Sequence, residues 1–290
     1  MKFIDFGTSK NVSIIGLGGL HFGVFLDQKE TNDLIFYAKE SGINFIDTSP
    51  IYGHGNSESI IGKCIKNFRK DFFISTKVGL KKKTNKEGKF GVEVYPLTKK
   101  NIIRSVDNSL KCLLTDHIDL LQLHTYDEET DLYETLDALY ELKKSGKVIN
   151  FGFCNYSNGS QVDNLVLKAK KKGIKFSSCQ LHYNLIEKRA EDELITAFKK
   201  NDIMLLSHHS LARGILTGKY LPNKPIPTGS RADLSDRVSR WLLPDVLNFM
   251  QDIKELSKNI NCSPTSFVIS WLVNNENVSG ILVGARDKSQ

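Results

Sequence analysis

The feature that most constrains this chain is a recurrence: short apolar, β-rich runs return along it, separated by stretches of helical period. The runs begin at Ser13 (SIIGLG), Ile43 (INFIDT), Phe72 (FFISTK), Ile118 (IDLLQLH), Val148 (VINFGFCN), Phe176 (FSSCQLHYN), Ile203 (IMLLSHHS) and Ser279 (SGILVGA). Successive starts lie on the order of 30 residues apart, about one βα unit each. Leu132, Leu136, Leu139 and Leu142 form one helical stripe closed by Gly146. Ile102, Val106, Leu110 and Leu113 form another, opened by Thr98. Ser263-Pro264 reads as an N-cap followed by proline at the first helical position, with Phe267, Trp271 and Leu272 on the buried side.

Strands alternating with helices predict a parallel sheet, and eight such units without a second-domain linker predict one (β/α)8 TIM barrel over residues 1–290. Residues 2–12 predict a β-hairpin across the barrel floor, turning at Gly7-Thr8. Two intervals are long: the Lys- and Gly-rich residues 79–97 and residues 214–244. Both follow a strand, the third and the seventh, which places them on the carboxyl-end face where such barrels do chemistry. A doubly wound nucleotide fold is the rival, because GLGGLHFG from Gly16 resembles a dinucleotide fingerprint. The match fails at His21, where glycine is needed, and the helix starts only after Asp27.

At 290 residues, with 40% apolar and 25% charged residues, the chain can bury an ordinary core. Its net charge of +7 is carried mostly by lysines, including the runs Lys81, Lys82, Lys83 and Lys170, Lys171, Lys172, for which a solvated surface is the plain reading and an anion site the functional one. Nothing accompanying the charge suggests nucleic-acid binding. The five cysteines are scattered without a CxxC pair, so neither a disulfide framework nor a metal site is expected. The amino terminus lacks an apolar h-region and no run approaches a membrane span, so a reduced, cytoplasmic protein is the expectation.

The strand ends carry the chemistry. Asp47 ends the second strand, Lys77 the third and His124 the fourth, while Tyr52 lies in the Pro- and Gly-punctuated turn of FIDTSPIYG. Singly, each has a structural reading as a cap or a hydrogen-bonded rim residue. Together they place an acid, a base, a phenol and an imidazole on one rim. A phenol is a poor proton donor near neutrality, and a lysine ammonium beside it is expected to lower its pKa. A buried lysine needs a counter-charge, which gives Asp47 a task. The imidazole can orient a carbonyl by hydrogen bonding. A site that protonates an oxygen while something else attacks the carbon suggests hydride transfer.

These residues and the segments GINFIDTSPIYG, ISTKVG, DLLQLH, GKVINFGFCNY, QLHYNLIE, LARGILTGKY and GILVGARDKSQ resemble the aldo-keto reductases, from Gly16 to Gln290. The resemblance implies a barrel that binds NAD(P)H in extended form without a Rossmann motif, usually preferring NADPH, with NADH possible. It implies a tetrad at Asp47, Tyr52, Lys77 and His124. It also implies cofactor contacts from Gly19, Leu20, Asp47, Cys154 and His208, with Asn155 and Gln180 on the nicotinamide carboxamide. Leu211, Ala212, Arg213, Lys219, Ser230 and Arg231 would line the pyrophosphate, and Gly284, Arg286 and Gln290 the adenosine end. Arginine suits a 2′-phosphate because its planar fork binds phosphate bidentately.

The chain departs from the family pattern in three places. Cys154 replaces a serine, and a thiol is the weaker hydrogen-bond partner. His208, His209 and Ser210 stand where an aromatic residue and then Ser-Pro are usual, so an imidazole is expected to stack on the nicotinamide. The family's last helix and an adenosine-binding Glu-Asn pair would follow Gln290.

The leading expectation is an NADPH-dependent reductase of an aldehyde or ketone, such as a sugar or other polar carbonyl, with Tyr52 as proton donor. The alternative is an NADP(H)-binding regulatory or scaffold subunit resembling potassium-channel β subunits. In those subunits the position of His124 is not histidine, which favours the enzyme. A barrel lyase or isomerase has no need of the cofactor segments. Lys81, Lys82, Lys83, Lys86 and Lys89 in the first long loop could draw in an anionic substrate, although solvated loop lysines are the plainer reading.

Overall fold

Every one of the eight apolar runs becomes a strand of one closed barrel. In the computed structural model, which describes residues 2–290 except 85–87, 89, 235 and 240 and the side chain of Arg237, twelve strands are present. The barrel strands are β3 (Ile15–Gly18), β4 (Phe45–Asp47), β5 (Phe73–Val78), β8 (Ile118–Leu123), β9 (Val148–Cys154), β10 (Phe176–His182), β11 (Met204–His208) and β12 (Gly280–Val283). They pair in parallel and close in the order β10-β11-β12-β3-β4-β5-β8-β9. The strands β5 and β8 are buried at every position, because a parallel barrel wall is covered on both faces.

Strand period decides what fills the barrel. Alternate residues point inward, so Phe45, Phe73, Leu120, Leu206 and Leu282 form an apolar lower layer. The expected hairpin, β1 (Phe3–Ile4) with β2 (Val12–Ser13), plugs this layer from below with Ile4, Phe6, Val12 and Ile14. Phe6 stacks on Phe73 at 4.5 Å between ring centroids. Two residues further along, the same inward files bear Asp47 above Phe45, Ser75 above Phe73 and Gln122 above Leu120, with Lys77 two further still above Ser75. The upper layer is therefore polar.

Helices α1 (Gln28–Glu40), α2 (Ser57–Ile65), α3 (Lys99–Leu113), α4 (Leu132–Lys144), α5 (Gly159–Lys171) and α6 (Leu194–Asn201) sheathe the barrel. Four of them start where side chains cap the free amides: Asp27 in a capping box for α1, Thr98 for α3, Asp131 for α4 and Asn158 for α5. The second long interval holds α7 (Asp236–Ser239) and runs up to α8 (Pro244–Asn259), after which comes α9 (Pro264–Asn274), capped by Ser263 as expected. Beneath α9 Leu272 is buried, whereas Phe267 and Trp271 are only half-buried.

The first long interval is not an irregular loop. It folds as an antiparallel ribbon of β6 (Leu80–Thr84) and β7 (Phe90–Val94). One face carries Lys81 and Lys83, both paired to Glu93, and the other carries Lys82, Phe90 and Val92. Phe90 lies 4.5 Å from the His54 ring and Lys82 lies against Gly55, so this second face borders the loop that holds Tyr52. Lys86 and Lys89 lie outside the described residues.

Asp119, on β8 at the barrel's lower end, binds the hairpin to the wall. Its carboxylate accepts from Lys10 (2.8 Å), Arg69 (2.6 Å) and the Ile74 amide (3.0 Å). Burial works to raise its pKa, but Arg69, Lys10 and the Ile74 amide outweigh it and hold the carboxyl below its usual range. A depressed carboxylate stabilises the fold above its unfolded value of about 3.9 and loses that contribution as pH falls through the folded one. Asp119→Asn should therefore cost about 3 kcal/mol at pH 7, since Lys10 and Arg69 lose their anion. In urea denaturation the gap to wild type should close only below about pH 4. Equal stability at pH 7, or a gap that widens on acidification, would refute the clamp.

Candidate active site

The loop after β4 sets Tyr52 in place by an unusual backbone. Gly53, His54 and Gly55 take left-handed conformations in succession (φ 59°, 54° and 91°). A Cβ at Gly53 would collide with the Phe22 carbonyl oxygen, so only glycine lets this turn dock on the loop after β3. The turn carries the half-buried Tyr52 ring back over the barrel mouth, 6.0 Å from the His124 ring, edge to face.

At the centre lies an ion pair. Lys77 Nζ donates to both Asp47 oxygens (2.7 and 2.6 Å) and to the Thr48 carbonyl oxygen (2.9 Å), and neither side chain is more than 3% exposed. Asp47 accepts further bonds from Ser75 Oγ (3.0 Å), Gln122 Nε2 (3.2 Å) and Gln180 Nε2 (3.3 Å). The same ammonium lies 5.0 Å from the centre of the Tyr52 ring. Burial works against a charged lysine here, but Asp47, with Tyr52 and Cys154, raises the Lys77 pKa above its ordinary value. Lys77 stays an ammonium.

Tyr52 departs from the sequence expectation. Lys77 does pull its pKa down, but burial is the larger effect and Asp47 adds to it, so the phenol is pushed up to about 12. His124 goes the other way: burial, then the Lys77 charge, lower it to about 3. Its Nδ1 is engaged by Ser49 Oγ at 3.4 Å. Near neutral pH the rim thus presents a protonated phenol and an uncharged imidazole. Asp47, Tyr52, Lys77 and His124 come together as the sequence suggested.

Gln122 is the residue that sequence reasoning missed. Besides Asp47, its amide donates to Ser75 Oγ (2.8 Å) and Gln180 Oε1 (3.1 Å), so it locks the layer beneath the ion pair. Its signal was its place two residues before His124, on the same inward file. Cys154 belongs to this layer as well: its Sγ approaches the Gln122 and Gln180 oxygens at 3.6 and 3.4 Å. Burial pushes its thiol up to about 12, so it stays protonated. The exposed Asn155 has φ 59° and donates to the His124 carbonyl oxygen at 2.9 Å.

The residues expected around a dinucleotide spread along one side of the mouth. Ala212, Arg213 and Gly214 turn sharply through left-handed backbone, with the Ala212 amide donating to the His209 carbonyl at 2.6 Å. The pKa of the partly buried Arg231 is depressed by burial and then by the charges of Arg213 and Arg286. Three guanidinium groups so close are an arrangement that suits a polyanion. His21, met in the sequence only as the break in a glycine pattern, sits beside them. Burial, then Arg231 and Arg286, lower it to about 4, and its Nδ1 is buried without a hydrogen-bond partner among the described residues. Arg286 lies 4.3 Å over the Phe25 ring, and its amide donates to Gln290 Oε1 at 3.0 Å. Gly284 faces His21, and the buried Ser230 accepts from the Asp233 amide at 3.4 Å. Lys219 reaches the Tyr220 ring at 5.4 Å, and Leu211 is half-buried. Gly19 is buried under Ser57, which donates to its carbonyl at 2.8 Å, whereas Leu20 is exposed at the rim.

The orphaned His21 nitrogen, the arginine trio and the sharp turn make a cradle that fits a phosphate-bearing cofactor. Among the described residues, no helix is long and apolar enough to cross a membrane.

Comparison with known proteins agrees with this geometry. The model of the Aldo/keto reductase family matches residues 14–290. The chain is 31% identical over 293 residues to the aldo-keto reductase YhdN of Bacillus subtilis, covering 98% of this chain and 84% of that protein. It is 30% identical over 301 residues to a probable voltage-gated potassium channel subunit beta of Arabidopsis thaliana, covering 100% and 89%. Among solved structures it resembles a glycerol dehydrogenase from Gluconobacter oxydans, with a TM-score of 0.85, 25% identity, and 99% and 87% of the two chains covered. With the parallel barrel and the rim residues in place, the chain belongs to the aldo-keto reductase family of NAD(P)H-dependent oxidoreductases.

Proposed function

We propose that this chain is an NADPH-dependent reductase of polar aldehydes or ketones, and that Asp47, Tyr52, Lys77 and His124 carry the reaction. The observation behind this reading is the rim itself: a protonated Tyr52 and a neutral His124 beside an ammonium whose counter-ion is buried below it. Bound nicotinamide supplies the hydride. The chain supplies the rest. His124 Nε2, with Nδ1 held by Ser49, hydrogen-bonds the carbonyl oxygen and fixes its orientation. Tyr52 passes its hydroxyl proton to that oxygen as negative charge develops there. Lys77 stabilises the phenolate left behind, and Asp47 with Ser75, Gln122 and Gln180 keeps Lys77 pointed at it.

Arg213, Arg231 and Arg286 would meet the phosphates, which supports NADPH over NADH. Lys82 and Phe90 on the ribbon beside Tyr52 would form the outer wall of the substrate site, a polar and apolar pair suited to a small polar carbonyl. The glycerol dehydrogenase likeness points to the same substrate class. The potassium-channel likeness supports a second reading, a nucleotide-binding subunit, and the turnover measurements below separate the two.

Tyr52→Phe removes only the proton donor, so it should leave NADPH binding intact and cut kcat by 10²–10⁴-fold on a reactive aldehyde such as 4-nitrobenzaldehyde. Wild-type kcat should be flat between about pH 5 and 9, because values of about 12 for Tyr52 and about 3 for His124 lie outside that range. A Phe variant with more than about a third of wild-type turnover would sink the assignment. Absence of turnover in wild type would favour the subunit reading.

Arg286→Ala should weaken NADPH more than NADH in fluorescence titrations, because a charge-assisted contact to the 2′-phosphate at the adenosine end exists only in NADPH. Equal losses would place Arg286 elsewhere on the cofactor.

Lys77→Met keeps the apolar stem and orphans Asp47. Breaking a buried pair typically costs about 3–5 kcal/mol, here softened by the three neutral donors Asp47 retains. Asp47→Asn/Lys77→Met should recover part of the lost melting temperature, since the orphaned charge is gone, while turnover stays low because Tyr52 remains without its ammonium. Strictly additive stability losses would mean that the two side chains do not act as a pair.

A further inference from the structure

Beside the reacting residues lies a cluster of three histidines to which the proposed reaction gives no proton-transfer role. His182 and His208 end adjacent strands β10 and β11 as register partners, and His209 follows directly. Their ring centroids are 4.3 Å (His182–His208), 4.4 Å (His182–His209) and 4.9 Å (His208–His209) apart. One nitrogen from each ring can be chosen so that all three lie within 4.8 Å of one another. The backbone fixes this grouping. His209 takes a left-handed conformation (φ 52°), and its carbonyl is held by Asn184 Nδ2 (3.0 Å) and the Ala212 amide (2.6 Å).

Two features point to a ligand rather than to packing. His208 Nε2 is buried with no hydrogen-bond partner among the described residues, and a buried ring nitrogen left unpaired costs free energy that a bound group would remove. The rings also meet largely edge to face about His182, with interplanar angles of 84° and 76°, and one nitrogen of each ring lies within 4.8 Å of the other two. Tetrahedral zinc holds imidazole nitrogens at 2.0–2.1 Å, which sets them about 3.4 Å apart. To reach that spacing the nitrogens must draw in from within their 4.8 Å limit.

We propose that His182, His208 and His209 form a binding site for a divalent transition-metal ion of the zinc class, with three imidazole ligands and an open fourth position. Imidazole sets of this kind suit zinc, copper and nickel rather than calcium or magnesium. Arg213 near His182 and His209, Arg189 near His182, Arg231 near His209 and Lys77 near His208 oppose a dication, while Glu187 beside His182 favours one. The site must therefore be held by ligand bonds more than by field. A consequence rests on the cofactor reading above: if His208 also packs against nicotinamide, metal and NADPH exclude each other.

Cobalt(II), added to the metal-free full chain, is the probe. Wild type should take up one ion per chain with the strong visible bands of tetrahedral coordination, and zinc should displace it. His182→Gln and His209→Asn should each weaken cobalt binding at least about tenfold. Asn tolerates the left-handed backbone at 209, so that variant keeps the loop, and circular dichroism checks both folds. Failure of wild type to bind, affinity unchanged from wild type in either variant, or a thiolate-to-cobalt charge-transfer band placing the ion on cysteine would overturn the site. NADPH should lower the cobalt affinity of wild type; an unchanged affinity would overturn the exclusion alone, whatever Tyr52→Phe does to turnover.

Discussion

The ion pair between Asp47 and Lys77 is the contact on which the rest of this barrel depends. Two opposite charges, both almost fully buried, sit where strand period points side chains into the barrel. Burying such a pair is costly, and the structure answers the cost with donors and acceptors rather than with solvent. Ser75, Gln122 and Gln180 donate to Asp47, and the Thr48 carbonyl accepts from Lys77. Below them the core is apolar, sealed by Phe6 and Phe73. The hairpin that seals it is fastened in turn by Asp119, at the far end of the strand that carries Gln122. Floor and site are thus two layers of one set of inward-pointing files.

The pair also sets the proton states around it. Tyr52 and His124 share one rim and feel the same ammonium, yet their pKa values move apart, to about 12 and about 3. Burial disfavours the charged form of each, which is the anion for a phenol and the cation for an imidazole. Lys77 opposes the first shift and reinforces the second. Neutral donors of two kinds, held over one cation, are the pattern expected where an enzyme must hand over a proton without first taking one up.

Much of this was legible in the sequence. All eight barrel strands, the hairpin and the tetrad could be placed because apolar runs at βα spacing fix which residues end strands, and strand ends in such barrels share a rim. What was lost was lateral information. The lysine-rich segment LKKKT reads as loop, yet it pairs with FGVEV because each strand supplies what the other lacks: Glu93 for Lys81 and Lys83. The sense of the Tyr52 shift was misjudged because a sequence shows that a lysine is near but not how deep the phenol lies. His182 and His208 are 26 positions apart and meet only through the register of β10 on β11. Cysteine spacing, the metal signal used on the sequence, could not have shown them.

The mouth and the centre of the site differ electrically, and the difference bears on catalysis. Arg213 and Arg286 both lower the pKa of Arg231, so the mouth carries a concentrated positive field that favours a phosphate-bearing ligand. At the centre Asp47 cancels Lys77, and Tyr52 and His124 are uncharged, so a neutral carbonyl meets little net field on arrival. In the proposed reaction the balance changes only when the Tyr52 proton leaves. A phenolate then lies beside an ammonium that is already desolvated and already aimed, so its attraction needs no reorganisation of the site. Lys77 would therefore interact more strongly with the transition state than with the ground state, and only interactions of that kind accelerate the chemical step.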